Sequence, residues 1–128
     1  MAQQNRRIIR RVAGTLENVG TSDQQTITLT DKVEAWFLLA VRFVRAGGTA
    51  ATYQLRVRTN SGGANGDINE IYTGAAAVVV ATATNDVADQ PIPFDTDSTG
   101  KVYFKTGFNA GTDNDYSYVL WFEKAVGS

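Results

Sequence analysis

Short runs of β-branched and aromatic residues, separated by clusters of Gly, Asn and Asp, follow one another through most of this 128-residue chain. No segment shows the sustained 3.6-residue apolar period that an amphipathic helix needs. Strand-length runs separated by turn residues are typical of antiparallel sandwiches and barrels. The sequence therefore predicts an all-β fold, and its length fits one domain.

The pattern predicts about eight strands, the number expected of a jelly roll. They are residues 25–30, 32–45, 52–59, 68–72, 75–83, 90–94, 100–106 and 116–124. Pro91 and Pro93 lack the N–H group that a ladder requires, so residues 90–94 are expected at a sheet edge or in a connection. We predict a single antiparallel β-sandwich of jelly-roll type over residues 21–128, preceded by an extended basic N-terminal arm over residues 1–20.

The longest run, residues 32–45, is apolar on both of its faces. Strict alternation places a wholly apolar set on one face: Phe37, Leu39, Val41 and Phe43. It places a second, mixed set on the other face: Trp36, Leu38, Ala40, Arg42 and Val44. Such a strand is either central in a sandwich or pressed against another subunit.

The last strand allows the same two interpretations, because its tyrosines share a face with Leu120 and Phe122. From these two strands we take four residues as candidates for a subunit interface: Trp36, Leu38, Tyr116 and Tyr118.

The chain has no cysteine and no histidine. Tetrahedral zinc sites and Ser-His or Cys-His catalysis are therefore excluded. Paired carboxylates, such as Asp113 with Asp115, hydrolyse glycosides only when they are held across a cleft. Each acidic pair of this chain lies in a glycine-containing loop, where a solvated carboxylate is the default. The sequence predicts a protein that is not an enzyme and that has no cofactor.

Residues 95–100, Asp-Thr-Asp-Ser-Thr-Gly, match the opening of a calcium loop, with oxygen-bearing residues at alternate positions and glycine sixth. The twelfth position, where a glutamate closes the shell of such a loop, is Thr106. The same residue types also make ordinary turns. No metal is predicted. Asp95 and Asp97 are the calcium candidates that the pattern offers, with Asp113 and Asp115 as further ligands if the loops converge.

The start of the chain is strongly basic: its first four arginines are a third of its 12 basic residues, and none of its 13 acidic residues precedes them. Interleaved apolar residues add a second kind of contact, so we expect this arm to dock on an acidic neighbour. Two interpretations stay open beside docking. In the first, the segment is simply a first strand or a solvated tail. In the second, it contacts nucleic acid, which the acidic body disfavours. The apolar face is too small for a membrane anchor. The candidate docking residues are Arg6, Arg7, Ile8, Ile9, Arg10 and Arg11.

Residues 101–124 combine an aromatic strand at 102–104, a Gly-x-Asp-Asn-Asp loop at 111–115 and an aromatic last strand. In these features, and in its length, its lack of cysteine and its Thr/Ala/Gly-rich composition, the chain resembles small β-sandwich virion proteins of tailed bacteriophages. These are the head decoration, or cement, proteins and related tail accessory proteins. The resemblance implies a sandwich that trimerises or packs on a capsid lattice, with its arm on a neighbour or on the shell.

We therefore predict a non-enzymatic structural protein of the virion, made in the host cytoplasm, that decorates or cements a phage capsid or tail as a homotrimer. Its expected partners are copies of itself and a capsid or tail protein. A membrane is not expected, and nucleic acid ranks behind the protein partners. The alternative is a carbohydrate-binding module, such as the tip domain of a tail fibre, which requires exposed Trp or Tyr rings on a sheet face or at a loop end.

Overall fold

The structure, a computed structural model, describes residues 8–58, 67–82 and 91–125, and it confirms the all-β prediction. Over these residues nine strands form two antiparallel sheets that pack as a sandwich. The described residues include no helix that is long and apolar enough to cross a membrane. The strands are β1 (Ile9–Val19), β2 (Ser22–Thr28), β3 (Ala35–Gly47), β4 (Tyr53–Arg58), β5 (Asp67–Gly74), β6 (Val78–Thr82), β7 (Ile92–Asp95), β8 (Lys101–Phe108) and β9 (Asn114–Lys124).

The strand order is that of a jelly roll. Sheet I has the order β1-β9-β3-β6, with β7 also paired to β3, and sheet II has the order β2-β8-β4-β5. The chain passes from one sheet to the other at every connection except those from β4 to β5 and from β6 to β7. β6 pairs with residues 40–44 of β3, and β7 pairs with residues 35–38. β6 and β7 therefore act as one interrupted edge strand, and the strands fill the positions of an ordinary jelly roll.

The core lies between the two sheets, where alternate side chains of each strand meet. Burial alternates along β9, and its Tyr116, Leu120 and Phe122 side chains are at most 1% exposed. The Phe43 ring of β3 stacks on the Tyr116 ring, with centroids 5.1 Å apart. Each large apolar side chain buried in this way contributes about 1.5–3 kcal/mol to folding. β3 and β9 are therefore the centre of the molecule.

A β-bulge in β3 changes which of its residues face the core. The register of β3 against β9 shifts between Leu38 and Ala40. The inner face consists of Trp36 and Leu38 before the bulge and of Val41 and Phe43 after it, all at most 3% exposed. The two predicted faces are therefore wrong, since each supplies only half of the observed core face. One extra residue reverses the orientation of every side chain that follows it.

The four residues assigned to a subunit interface lie in the core of the chain itself. Trp36, Leu38, Tyr116 and Tyr118 are 3%, 1%, 1% and 6% exposed. Sheet II covers them, as in the contact between the Tyr118 and Phe104 rings, whose centroids are 5.1 Å apart. A core strand and an interface strand share the same sequence pattern, namely apolar side chains on both faces. These side chains are therefore reassigned to the core and are not available to a second chain.

The segment expected as an arm contributes a strand to the sandwich. Ile9–Val19 forms β1 and pairs antiparallel with β9 at the edge of sheet I. The first-strand interpretation is thus the observed one for residues 9–19, and the sandwich begins before residue 21. Among the candidate docking residues, Ile8, Ile9, Arg10 and Arg11 are exposed. Arg6 and Arg7 lie outside the described residues.

Candidate interaction surface

Asn114 joins three loops at one end of the sandwich. Its side chain is fully buried, and its Nδ2 lies 3.0–3.3 Å from the carbonyl oxygens of Val19, Gly20 and Ala110, to which it donates. Its Oδ1 accepts a hydrogen bond from the Ala50 backbone N–H at 3.4 Å. One amide thus satisfies backbone groups of the β1–β2, β3–β4 and β8–β9 connections.

The two aspartates of the Gly-x-Asp-Asn-Asp loop, Asp113 and Asp115, bond to neighbouring parts of the same end of the sandwich. Asp113 Oδ1 accepts from the Thr49 backbone N–H at 3.2 Å and from the Thr49 hydroxyl at 3.0 Å. Asp115 Oδ1 accepts from the Asn18 N–H at 2.9 Å. Carboxylates used in this way organise turns. The loop on which the phage resemblance depends is therefore a structural clamp in this chain.

Asp97, one of the calcium candidates, organises the turn before β8. Its Oδ1 accepts from the backbone N–H and the hydroxyl of Thr99, both at 2.8 Å, and from the Lys101 N–H at 3.0 Å. Its Oδ2 accepts from the Tyr103 hydroxyl at 2.9 Å. Asp95, the other candidate, is exposed, and the described residues bring no three acidic side chains together around a metal position. The contacts of Asp97 use the lone pairs that a calcium ion would need.

The pKa of Asp97 gives a testable pH dependence. The hydrogen bond from the Lys101 backbone, followed by those from Thr99 and Tyr103, lowers the pKa of Asp97 to about 2. A carboxyl whose pKa is lower in the folded state contributes stability above its unfolded pKa and loses it as the pH falls. We expect wild type to melt at a higher temperature than Asp97→Asn at neutral pH, and this difference to shrink as the pH falls from about 4 to about 2.

Thermal denaturation followed by circular dichroism measures this difference. Asp31→Asn is a suitable control, because it removes an exposed carboxyl of the same type from another part of the surface. If the difference in melting temperature between wild type and Asp97→Asn does not change with pH, the turn does not depend on the ionised carboxylate.

Glu34 is a buried acid whose partners come from the chain itself. It is 9% exposed, its Oε1 accepts from the Trp36 Nε1–H at 2.9 Å, and its Oε2 lies 3.3 Å from the Lys124 Nζ. A shallow hollow of about 280 Å³ beside Trp36 is lined mainly by apolar residues at the start of β3 and the end of β7. Both carboxylate oxygens are engaged, so Glu34 belongs to an ion pair with the half-buried Lys124 rather than to a catalytic pair.

Asp23 of β2 faces buried tyrosines between the sheets. The Tyr116 hydroxyl and the Gln25 side-chain amide both donate to Asp23 Oδ2. Burial, followed by this hydrogen bond to a carboxylate, raises the pKa of Tyr116 far above its usual value, and burial also raises the pKa of Tyr118. Both phenols therefore stay protonated, and Tyr116 acts as a hydrogen-bond donor and not as a nucleophile.

The described sheet faces carry no row of exposed aromatic rings, which the carbohydrate-binding alternative requires. Most of the Trp and Tyr rings lie in the core, and Trp121 and Tyr72 are half-buried. The buried ones are Trp36, Tyr53, Tyr103, Tyr116 and Tyr118. No observation on the described residues thus favours sugar binding.

The outer face of sheet I is apolar through its centre, and no layer packs on it among the described residues. Its half-buried residues on β3 and β9, here termed the outer apolar face, are Phe37, Leu39, Ala40, Val44, Val119 and Trp121. Val78 of β6 extends this face and is 49% exposed. The outer face of sheet II is polar by contrast, with Gln54, Arg56 and Lys105 in neighbouring register positions.

The outer face of sheet I has the dimensions of a protein–protein contact. The whole sheet has four strand positions, about 4.8 Å apart, and its length is taken from β9, at about 3.4 Å per residue. The product of width and length is roughly 700 Å² for the full outer face. A stable interface buries about 800 Å² per partner. One copy of the chain therefore offers most of the area that a standard interface needs.

One exposed cation borders the outer apolar face, and another, Arg42, lies within it between Ala40 and Val44. Arg11 of β1 lies opposite Trp121, and Arg42 of β3 lies opposite Val119. Ile9, which is 45% exposed, continues the apolar area along β1. A surface of this kind complements a partner that presents apolar groups among carboxylates.

Comparison with known proteins finds only distant similarity. No protein-family model matches the chain, and no curated protein matches it significantly. One similar solved structure comes from Bacillus endospore appendages, described as disulfide-linked pili. Its identity is 11% over 98% of this chain and 93% of that chain, with a TM-score of 0.40. Another is VP2 of infectious bursal disease virus in a subviral particle, with 15% identity over 93% of this chain and 34% of that chain, and a TM-score of 0.37. Similarity at this level carries no inference about the function of this chain.

Proposed function

We propose that the chain is a non-enzymatic structural protein of a virion that decorates or cements a phage capsid or tail by docking its outer apolar face on a capsid or tail protein. The observation that carries the proposal is this face, which is mainly apolar, has no covering layer among the described residues and lies on a sheet face nearly as large as a standard interface. The resemblance of residues 101–124 to decoration and tail accessory proteins gives the kind of partner.

The basic N-terminal segment supports the same proposal. Ile8, Ile9, Arg10 and Arg11 are exposed at the edge of the sheet that carries the outer apolar face. In the sequence, two further arginines precede them directly. Carboxylates on a partner would pair with these cations, while the isoleucines add apolar contact.

The polar chemistry of the described residues supports a structural role over a catalytic one. The side chains that are chemically most distinctive, Asp97, Asn114 and Glu34, bond to groups of the chain itself. A protein that works by covering a surface needs buried area and not a reactive cleft.

Particles of the encoding phage provide the test. We expect the chain in gradient-purified particles at a fixed number of copies relative to a shell or tail protein, because docking on a regular surface sets the stoichiometry. Quantitative mass spectrometry of the particles measures this ratio. A chain that is made in infected cells and is absent from particles, or whose ratio drifts between preparations, would contradict the proposal.

A further inference from the structure

β1 is a long edge strand whose outer side is unpaired among the described residues. It runs over 11 residues, contains no proline and, among the described residues, pairs only with β9, in a regular register from Ile9 to Leu16 that ends in a bulge at Glu17 and Asn18. The opposite edge of sheet I is interrupted between β6 and β7, and Pro93 lies within β7. Interruption and proline protect an edge, whereas an unprotected edge is a template for pairing with another chain. β1 is therefore the open edge of this sheet.

The hydrogen bonds of β1 determine which backbone groups face this open edge. The Lys124 N–H donates to the Ile8 carbonyl at 3.0 Å, and the register continues with Arg10 opposite Phe122. In an antiparallel ladder, alternate residues exchange both backbone hydrogen bonds with their partner. The even-numbered residues of β1 therefore bond to β9. The N–H and C=O groups of the odd-numbered residues 9–15 point towards the open edge.

Besides Arg10, whose guanidinium donates to the Leu29 carbonyl at 3.2 Å, two exposed charges of opposite sign lie on this strand. Arg11 and Glu17 are exposed, and neither has a hydrogen bond or ion pair with another residue in the part of the chain that the structure describes. They are six positions apart along one strand, roughly 20 Å, so they do not reach each other within one copy. Antiparallel pairing of β1 with β1 of a second copy brings such charges together.

The possible registers of this pairing differ sharply in their charge matching. Backbone pairing joins odd-numbered residues to odd-numbered residues. A two-fold axis beside Gly14 places Arg11 of each copy opposite Glu17 of the other, and Ala13 opposite Thr15. With the axis beside residue 13, Arg11 lies opposite Thr15 of the second copy. With the axis beside residue 12 it lies opposite Ala13, and with the axis beside residue 11 it lies opposite the second Arg11. Opposite charges stabilise a cross-strand pair and like charges destabilise it, so the axis beside Gly14 is favoured.

The same register also matches the side chains on the core side of β1. It places Val12 opposite Leu16 of the second copy, and Gly14 opposite Gly14, where no side chain obstructs the approach of the two strands. Val12 and Leu16 are partly buried and pack against the core cluster. The pairing therefore extends the apolar cluster of each copy along the joined edge.

We propose that the edge of β1 is a self-association site, at which two copies pair antiparallel about a two-fold axis beside Gly14 and join sheet I of both copies into one sheet. This is strand addition between identical chains. A two-fold contact of this kind closes a dimer, in place of the trimer that the phage resemblance implies. It uses the backbone edge of β1 and not the outer apolar face, so it goes beyond the proposed function, and Arg11 takes part in both contacts.

Exchange of the two charges tests the proposed register. We expect the full chain to sediment as a monomer–dimer equilibrium between micromolar and millimolar concentration. Arg11→Glu and Glu17→Arg each place like charges opposite each other at both ends of the contact. Each is expected to raise the dissociation constant at least about tenfold. The double variant Arg11→Glu/Glu17→Arg should restore the dimer. An equimolar mixture of the two single variants should form a heterodimer, because one chain brings only acids to the contact and the other only bases.

A backbone variant and a matched charge control complete the experiment. Ala13→Pro removes an N–H that faces the open edge without removing a bond to β9, so it should abolish the dimer while circular dichroism stays β-type. Arg42→Glu reverses an exposed cation on the outer face of sheet I and should leave the dimer unchanged.

Three results would overturn the proposal: a strict monomer over the whole range, a trimer that none of these variants affects, or a dimer that Arg42→Glu disrupts and Arg11→Glu does not. None of these measurements uses phage particles. Failure of the dimer therefore leaves the proposed virion role standing, and absence of the chain from particles leaves the dimer standing.

Discussion

Asn114→Ala should lower the free energy of unfolding by about 3–5 kcal/mol, a loss comparable to that of a large core side chain. The amide is fully buried and bonds to backbone groups of three connections. Alanine would leave several of these groups without a partner, and each unsatisfied buried group costs about 1–3 kcal/mol. Urea denaturation followed by tryptophan fluorescence measures the change.

Asp113→Ala is the matched control for this prediction, because Asp113 is the preceding residue of the same loop. It is exposed, and its carboxylate accepts hydrogen bonds from the backbone N–H and the hydroxyl of Thr49. We expect it to cost no more than about 1 kcal/mol. Similar denaturation midpoints for Asn114→Ala and Asp113→Ala would show that the buried amide does not hold the three connections together.

Gly100→Ala should destabilise the chain by roughly 3–5 kcal/mol, through backbone strain and overpacking together. Gly100 has a φ of +81°, which side-chain-bearing residues rarely adopt, and an added Cβ would lie 2.1 Å from the Thr30 carbonyl oxygen. Its own carbonyl accepts from the Leu29 and Thr30 N–H groups at 2.9 and 3.2 Å. The turn before β8 is therefore in backbone contact with the segment after β2, and neither side can move away independently.

Gly107→Ala provides the comparison in the adjoining strand. Gly107 lies in β8, its φ is not positive, and an added Cβ would have no heavy atom within 4 Å. Because alanine also restricts the unfolded chain, we expect Gly107→Ala to be neutral or to stabilise the fold by up to about 1 kcal/mol. Equal melting temperatures for Gly100→Ala and Gly107→Ala would contradict the account of the turn.

Unbroken alternation made part of the fold predictable from the sequence. β4 was predicted over residues 52–59 and is Tyr53–Arg58, and β9 was predicted over residues 116–124 and is Asn114–Lys124. In both strands one face meets the core along the whole length, so the period-2 pattern is complete. The jelly-roll class follows from the number and spacing of such runs.

A strand at the N-terminus is only one of the interpretations that the sequence leaves open, because its composition hides the alternating pattern. Charged residues occupy the exposed start of β1, and the inward positions are only partly filled by Val12, Gly14 and Leu16. The alternation of these three residues was the available signal. It is weak because an edge strand buries less apolar area than a central one.

The bulge in β3 and the role of Asn114 follow from tertiary packing and leave little trace in the sequence. Leu39 and Ala40 are both apolar, so the sequence does not reveal that the register shifts beside them. An asparagine between two aspartates predicts a turn, and only the surrounding backbone groups make this one a buried clamp. The assignment of apolar strand faces to the core or to a partner likewise depends on where sheet II packs.

The most direct test of the account is co-sedimentation of the purified chain with phage particles that lack it. The account predicts saturable binding by wild type and at least about tenfold weaker binding by Trp121→Glu, which places a charge at the centre of the outer apolar face. Lys105→Glu, on the outer face of sheet II, should bind as wild type does. Equal binding by Trp121→Glu and wild type, or no binding by wild type, would contradict the claim that this face docks on a virion.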